Sequence, residues 1–308
     1  MQDLILDLQF NGGGYLNAAQ EVASEFLPNG KMIVYTDGRV MPRQELRAEG
    51  NGLMQHKGRL VVLVDEFSAS AAEIVSGAIQ DHDRGTIIGR RTFGKGLVQR
   101  PIDLPDSSMI RLTVSHYYTP SGRCIQKPYA KGQKEAYNRD LDNRYTHGEL
   151  TSVDSIRLDS TKVYHTLEKH RTVYGGGGIM PDIFVPLDTT ANPPLLRAIY
   201  RNNLVLEATL HYADSHRKEI KRKYRSFADF DAKFEAPAEL IDSIMANAKR
   251  KKLEPKDDKD LADTRRELAI LLKGSIIMHL WDRNEYFQYT NRRNDIVKRA
   301  LEFLNEGK

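Results

Sequence analysis

Five consecutive apolar residues, Leu60-Val61-Val62-Leu63-Val64, run directly into Asp65-Glu66-Phe67-Ser68-Ala69-Ser70-Ala71-Ala72-Glu73-Ile74. No other stretch limits the fold of this chain as much. The apolar run has the length and β-branched content of a buried strand. Small residues then bend the chain, and from Ala71 to Gln80 the pattern turns helical, with Ile74, Ala78 and Ile79 on one face. A second short run, Thr86-Ile87-Ile88, delivers the chain to Gly89-Arg90-Arg91-Thr92-Phe93-Gly94-Lys95-Gly96-Leu97-Val98-Gln99. A serine therefore lies where a strand turns into a helix, and a lysine lies in a glycine-flanked turn after the next strand.

Ahead of this stretch, a strand over 4–8 leads into Asn11-Gly12-Gly13-Gly14, a helix over 18–27 stops at Pro28 and Gly30, and a strand covers 32–36. Residues 37–58 are polar and read as loop or edge hairpin. The order β-α-β-β-α-β implies an α/β layer with mostly parallel strands. Further strands are expected at 97–99 and 109–114, then a turn over Thr119-Pro120-Ser121-Gly122-Arg123. Residues 129–172 are charged and short of apolar runs, which reads as a long surface excursion. Gly175 to Gly178 and the strand Ile183-Phe184-Val185 follow.

At Pro193-Pro194 the composition turns helix-permissive, with helices expected at 195–212, 214–224, 237–250, 258–287 and 291–305. The expected division is a core over 1–192 and a helical C-terminal domain over 193–308. The run Arg217 to Lys223 reads as a solvated helix face. The chain opens almost at once on a buried-looking strand, so the core is expected to be N-terminally incomplete.

Composition narrows the function classes. Of 308 residues, 40% are hydrophobic and 29% charged, which suits an ordinary globular protein. No apolar run approaches the roughly 20 residues that span a bilayer, and Met1-Gln2-Asp3 offers no basic start for a secretory signal. Cys124 is the only cysteine, which excludes an intramolecular disulfide and disfavours a cysteine-based metal site. A net charge of +4, without an aromatic-laced basic run, gives little support for nucleic-acid binding.

Three chemistries compete for the glycine turns. Gly89 to Lys95 has the G-x-x-x-x-G-K spacing of a P-loop, but Gly96 stands where a magnesium-binding hydroxyl is needed and an extended segment follows. Asn11-Gly12-Gly13-Gly14 lacks the full dinucleotide fingerprint, since Leu16 and Asn17 occupy its last positions. A glycine turn also exposes backbone N–H groups to an oxyanion. The third chemistry is a serine nucleophile with a lysine base. A serine hydroxyl needs its proton removed. A lysine amine removes it only when neutral, so an ordinary pKa of about 10.4 has to fall by several units through burial and the absence of a close carboxylate. Against this stands simple helix capping by Ser68 or Ser70 ahead of Ala-Ala-Glu. The residues alone leave that choice open.

Taken together, Leu4 to Leu8 with Asn11 to Gly14, Phe67 to Ile74, Gly89 to Gln99, Tyr118 to Arg123 and Gly178-Ile179-Met180-Pro181-Asp182 resemble the C-terminal processing (tail-specific) serine peptidases. The resemblance implies a layered crotonase/ClpP-like α/β core, with the segment after Pro194 outside it. It implies Ser70 as nucleophile, Lys95 as base 25 positions later, and Gln99 as the group that orients the amine. The oxyanion hole would use the backbone N–H groups of Ala71 and Gly13, with Gly14 in support. Asp81 aligns with an aspartate of some members. The PDZ domain that such peptidases carry ahead of their first core strand is expected to be lacking from this chain. The implied function is endopeptidase cleavage of protein substrates near their C-termini. The alternative is a non-catalytic peptide-binding module on the same scaffold. No cofactor or metal is called for, the partners are peptides bound as an added strand rather than nucleic acid or nucleotide, and a homo-oligomer is compatible with all of this. A periplasmic or envelope location is implied by the resemblance alone.

Overall fold

The computed structural model describes residues 2–52, 54–55, 57–130 and 132–306. Leu53 and His56 of the 37–58 stretch, Lys131 of the excursion and the last two residues lie outside that set. Packing divides the chain into two units, Met1–Pro186 with Arg299–Lys308, and Leu187–Lys298. The division thus falls ahead of the Pro193-Pro194 pair, and the last ten residues group with the first unit.

The first unit runs β1 (Asp3–Asp7), α1 (Leu16–Ser24), β2 (Met32–Asp37), β3 (Gln44–Arg47), β4 (Arg59–Val64), α2 (Ala71–Asp81), β5 (Thr86–Gly89), β6 (Leu97–Asp103), β7 (Met109–Tyr118), α3 (Lys134–Asn138), α4 (Asp140–Thr146), β8 (Val163–His165), β9 (Thr172–Tyr174) and β10 (Ile183–Phe184). One sheet has the order β1-β4-β5-β10 and is parallel throughout. Leu60 to Val64 are all buried, as a strand with neighbours on both edges and both faces should be. Leu60, Val62 and Val64 pack with Ile74, Val75 and Ile79 of α2 and with Ile33 and Ile87 in one core. Each such side chain contributes roughly 1.5–3 kcal/mol by leaving water.

Two expectations are corrected. β2 does not join the parallel layer; it lies in a second, antiparallel sheet of order β3-β2-β7-β6. Strand order along the chain cannot say which sheet a strand enters, and β2 pairs antiparallel with both β3 and β7. The segment 129–172 is not all surface, because Arg144, Glu149, Leu150 and Thr166 in it are buried. Its charges are covered by pairing with one another and with Arg91, so low apolar content does not imply exposure here.

The second unit is helical: α5 (Pro194–Arg201), α6 (Leu204–Lys223), α7 (Phe227–Lys233), α8 (Ala238–Arg250), α9 (Asp258–Leu280), α10 (Arg283–Thr290) and the start of α11 (Asp295–Glu306). The first break falls at Asn202-Asn203 rather than near 213, with Asn203 in the left-handed region at φ 58° that asparagine tolerates. The expected helix 258–287 is two, because the Asp282 carboxylate accepts from Asn284 N–H (2.7 Å) and starts α10. α7 was not expected; it begins where the Ser226 hydroxyl accepts from Asp229 N–H. Leu195, Ile199, Ile244 and Leu268 form one core, and Tyr224, Phe230, Phe234 and Ile277 another. Among the described residues no helix is long and apolar enough to cross a membrane.

Candidate active site

Three loops converge because three strands end together. Asp7 of β1 stands beside Leu63 of β4, and Leu63 beside Ile88 of β5. The chain leaves β1 into the Asn11–Gly14 turn, β4 into Phe67–Ser70, and β5 into the Lys95 turn. All three loops thus emerge at the carboxyl ends of neighbouring parallel strands, where open α/β sheets hold their ligands. A cleft of about 470 Å³ opens there, lined by Ser70, Ala71, Lys95, Gln99, Gly14 and Tyr117. Leu16, Ile74 and Leu97 supply apolar wall. The Lys95 turn leads into strand β6, not a helix, so no helix N-terminus follows the glycine-lysine pair to hold a phosphate.

The two serines of the bend differ completely. Ser68 is fully buried, and its hydroxyl donates to the Leu8 carbonyl oxygen (2.7 Å) while accepting from Asp65 N–H (2.9 Å). The Asp65 carboxylate accepts from the N–H groups of Phe10, Phe67 and Ser68, which fastens the end of β4 to the end of β1. Burial pushes the Asp65 pKa up against those bonds. Ser68 is therefore a structural fastener. Ser70 lies on the cleft at φ 58° and ψ −115°, a region that L-residues avoid at a cost of roughly 1–3 kcal/mol. The strained strand-to-helix turn aims its side chain at the mouth of the parallel sheet and puts it at the positive end of α2.

Glu73 joins the backbones of Ser70 and Lys95. Its carboxylate is fully buried. One oxygen accepts from the Thr92 hydroxyl (2.5 Å) and Gly94 N–H (2.7 Å), the other from Ser70 N–H (2.8 Å) and Lys95 N–H (2.9 Å). Burial raises its pKa, while these four donors favour the ionised form. The Glu73 bond to Ser70 N–H is half of a capping box, so the S-x-x-E spacing was the signal that pointed to it. Among the described residues, Lys95 Nζ has no carboxylate within ion-pairing distance.

For an oxyanion, Ala71 N–H has no acceptor among the described residues, as expected in the first turn of a helix. Gly13 N–H, in contrast, is donated to Asn11 Oδ1 (2.9 Å). Gly13 has φ +97°, and a Cβ there would stand 2.6 Å from Ser70 Cβ and 2.9 Å from Ala71 N. The expected second donor is thus engaged by Asn11 in this conformation, while Gly14 lines the cleft with open space around it.

Gln99 is exposed on β6 at the cleft, and no hydrogen bond joins it to the Lys95 amine among the described residues. Asp81 lies elsewhere. Fully buried at the end of α2, its carboxylate accepts from Arg123 Nη2 (2.7 Å) and Ser121 N–H (2.9 Å), and so fixes the 119–123 turn. Tyr117 had drawn no attention in the sequence. It is buried beside the cleft, and its hydroxyl donates to the Lys95 carbonyl oxygen. Burial first, and the Glu73 charge second, hold this phenol protonated, well above the usual tyrosine range. Among the described residues no three His, Cys, Asp or Glu side chains are grouped to hold a metal ion. A cavity of about 550 Å³ in the helical unit, among Tyr200, Glu267, Tyr289 and Arg293, carries none of the motif residues.

Residues 1–133 match peptidase family S41, and residues 195–282 match a family of unknown function (DUF8443). The chain is 45% identical over 127 residues to a carboxy-terminal-processing protease of Bartonella bacilliformis, covering 41% of this chain and 29% of that protein. It is 42% identical over 124 residues to a chloroplastic C-terminal processing peptidase of Tetradesmus obliquus, covering 40% and 26%. It is 33% identical over 174 residues to a probable CtpA-like serine protease of Staphylococcus epidermidis, covering 56% of this chain and 33% of that one. A photosystem II D1 C-terminal processing protease structure aligns over 60% of this chain and 35% of its own, with 29% identity and a TM-score of 0.41. The chain spans about a third or less of the length of these curated relatives.

Proposed function

We propose, from the premise that residues 1–133 belong to peptidase family S41, that this chain hydrolyses peptide bonds by acyl transfer, with Ser70 as nucleophile and Lys95 as base. What supports this most is that both side chains line one cleft while the Glu73 carboxylate ties their backbone N–H groups together. The Lys95 amine takes the Ser70 proton, the hydroxyl oxygen attacks the peptide carbonyl, and the same amine protonates the departing nitrogen. Water, deprotonated in turn by that amine, then attacks the acyl–Ser70 ester, releases the carboxylic acid and restores the Ser70 hydroxyl. Ala71 N–H and a donor from the glycine turn hold the tetrahedral oxyanion, and losing one such donor costs on the order of 100-fold or more in rate. Gln99 faces the cleft where it can orient the amine. The substrate lies extended along edge strand β6, as an added strand ending near its own C-terminus. A periplasmic or envelope setting belongs to this same proposal and is checked by fractionation.

Ser70→Ala and Lys95→Ala should each abolish cleavage of an unfolded protein such as casein while retaining the melting transition. Cleavage that survives Ser70→Ala overturns the nucleophile. EDTA should leave wild-type activity untouched. The alternative, a module that binds peptides without cutting them, is favoured by one observation, the commitment of Gly13 N–H to Asn11. A peptide that binds and is never cut, together with a Ser70 inert to serine-directed acylating probes, would establish that alternative.

A further inference from the structure

The segment from Lys134 to Arg171 docks back on the turn that carries Lys95. Glu149 lies between two guanidinium groups. Arg91 reaches it with two prongs, Nε to Oε1 at 2.7 Å and Nη2 to Oε2 at 2.6 Å, and Arg144 Nε reaches Oε1 at 2.7 Å. The three side chains are only 14%, 9% and 5% exposed for Arg91, Glu149 and Arg144. Arg144 also donates to the turn itself, from Nη2 to the Arg91 carbonyl oxygen (2.6 Å) and from Nη1 to that of Thr92 (3.1 Å). Beside them Lys127, nearly buried, stands 3.9 Å above the Phe93 ring and 4.3 Å above that of Tyr137, and pairs with Asp140 at 3.1 Å.

The turn is therefore gripped from two sides. Glu73 holds Thr92, Gly94 and Lys95 from within. Arg144 holds the carbonyls of Arg91 and Thr92 from without. Without Glu149, two buried guanidinium groups would face each other with no counter-charge, and Arg144 would lose the partner that aims its fork. Burial already works against the Arg144 charge, and Arg91 adds to it. Acyl transfer tolerates little misplacement, since a shift of about 1 Å can cost on the order of 100-fold in rate.

We propose that this segment is a clamp on the catalytic turn, and that Glu149 and Arg144 are positioning residues that keep the Lys95 amine in register with Ser70. The clamp rests on the peptidase assignment above for its purpose, though not for its geometry. Its far end supplies a control. Asp83 accepts from Glu168 N–H (3.2 Å) and Lys169 N–H (2.7 Å) and pairs with Arg171 (2.7 Å), bonds that touch no part of the Lys95 turn.

The test compares Glu149→Gln, Arg144→Lys and Asp83→Asn in the full chain, well below the lowest melting temperature. Two quantities are read, the rate at which a fluorophosphonate probe labels Ser70 and amide hydrogen exchange over residues 91–96. Arg144→Lys keeps the buried charge balance and removes only the fork, which guards against a Glu149 variant that fails to fold. The clamp predicts exchange about tenfold faster or more in both clamp variants, and labelling slowed by about as much. Asp83→Asn should leave both at wild-type values even though it melts earlier. Wild-type exchange over 91–96 in the clamp variants overturns the proposal, as does a labelling loss that tracks melting temperature equally in all three. A wild-type chain that never labels removes the peptidase assignment instead, and the exchange arm then decides the clamp alone.

Discussion

Ser70 and Ser68 are two positions apart, both small and both polar, and the sequence offers nothing physical to separate them. Burial separates them. Ser68→Ala removes a donor from the Leu8 carbonyl and an acceptor from Asp65 N–H, both out of reach of water, so unfolding free energy should fall by about 1–3 kcal/mol in denaturant titration. Probe labelling of Ser70 in the folded fraction should persist. Gly13→Ala is a different case, because its methyl group would sit inside the contact distance of Ser70 Cβ at a backbone angle alanine avoids. It should abolish labelling while costing less stability than a core truncation, as read by paired labelling and melting measurements. Glu73→Gln replaces two accepting oxygens with one, so two of four converging donors would meet an N–H₂ group. Stability should drop by about 1–3 kcal/mol per donor pair left unmet, and labelling with it. A Glu73→Gln chain that labels at the wild-type rate would show that the four bonds do not position Ser70 and Lys95.

At the scale of elements, the pattern of apolar residues located β1, β4, α2, β5 and the start of β6 to within a few residues, because buried strands and a one-faced helix leave a periodic trace. Where a break rests on one polar group, the trace is silent. The left-handed Asn203 and the Asp282 cap each divided a helix at a point no hydrophobic period marks. The segment 129–172 misled for a related reason, since Arg91, Arg144 and Glu149 bury one another's charge. α2 is held at its far end by Asp81 and Arg123, both without exposure. Asp81→Asn leaves that guanidinium uncompensated and should cost about 3–5 kcal/mol. If Asp81 is a fastener of the 119–123 turn and not part of the chemistry, the labelling rate of the surviving folded chain will keep its wild-type pH dependence. A displaced pH profile would return it to the catalytic group.

For the molecule as a whole, acid should act in two stages. Burial lowers the His82 pKa below its ordinary 6.5, and its Nδ1 has no partner among the described residues, so the unfolded chain takes up that proton first. Stability therefore begins to fall as pH drops below about 6.5. Glu149 follows. Burial opposes its charge, but its bonds and attraction to Arg91 and Arg144 outweigh that and lower its pKa from 4.5. Its contribution is present above that value and is lost as pH falls through the lower folded one. Glu149→Gln should accordingly flatten the acid limb of melting temperature against pH below about 4.5, and His82→Gln the limb just below 6.5.

The sequence by itself determined the chemical inventory: a serine at a strand-to-helix bend, a lysine between glycines 25 positions on, a glycine turn after the first strand, and a helical remainder. Those are local properties, and local rules of periodicity, turn chemistry and spacing reach them. Only the tertiary structure decided which serine faces the cleft, that Gly13 N–H is engaged by Asn11, and that Glu73 and Arg144 hold the lysine turn from opposite sides. The physical reason is register. Three loops distant along the chain meet because β1, β4 and β5 end side by side, and hydrogen bonds between residues so far apart leave no periodic mark for local rules to read.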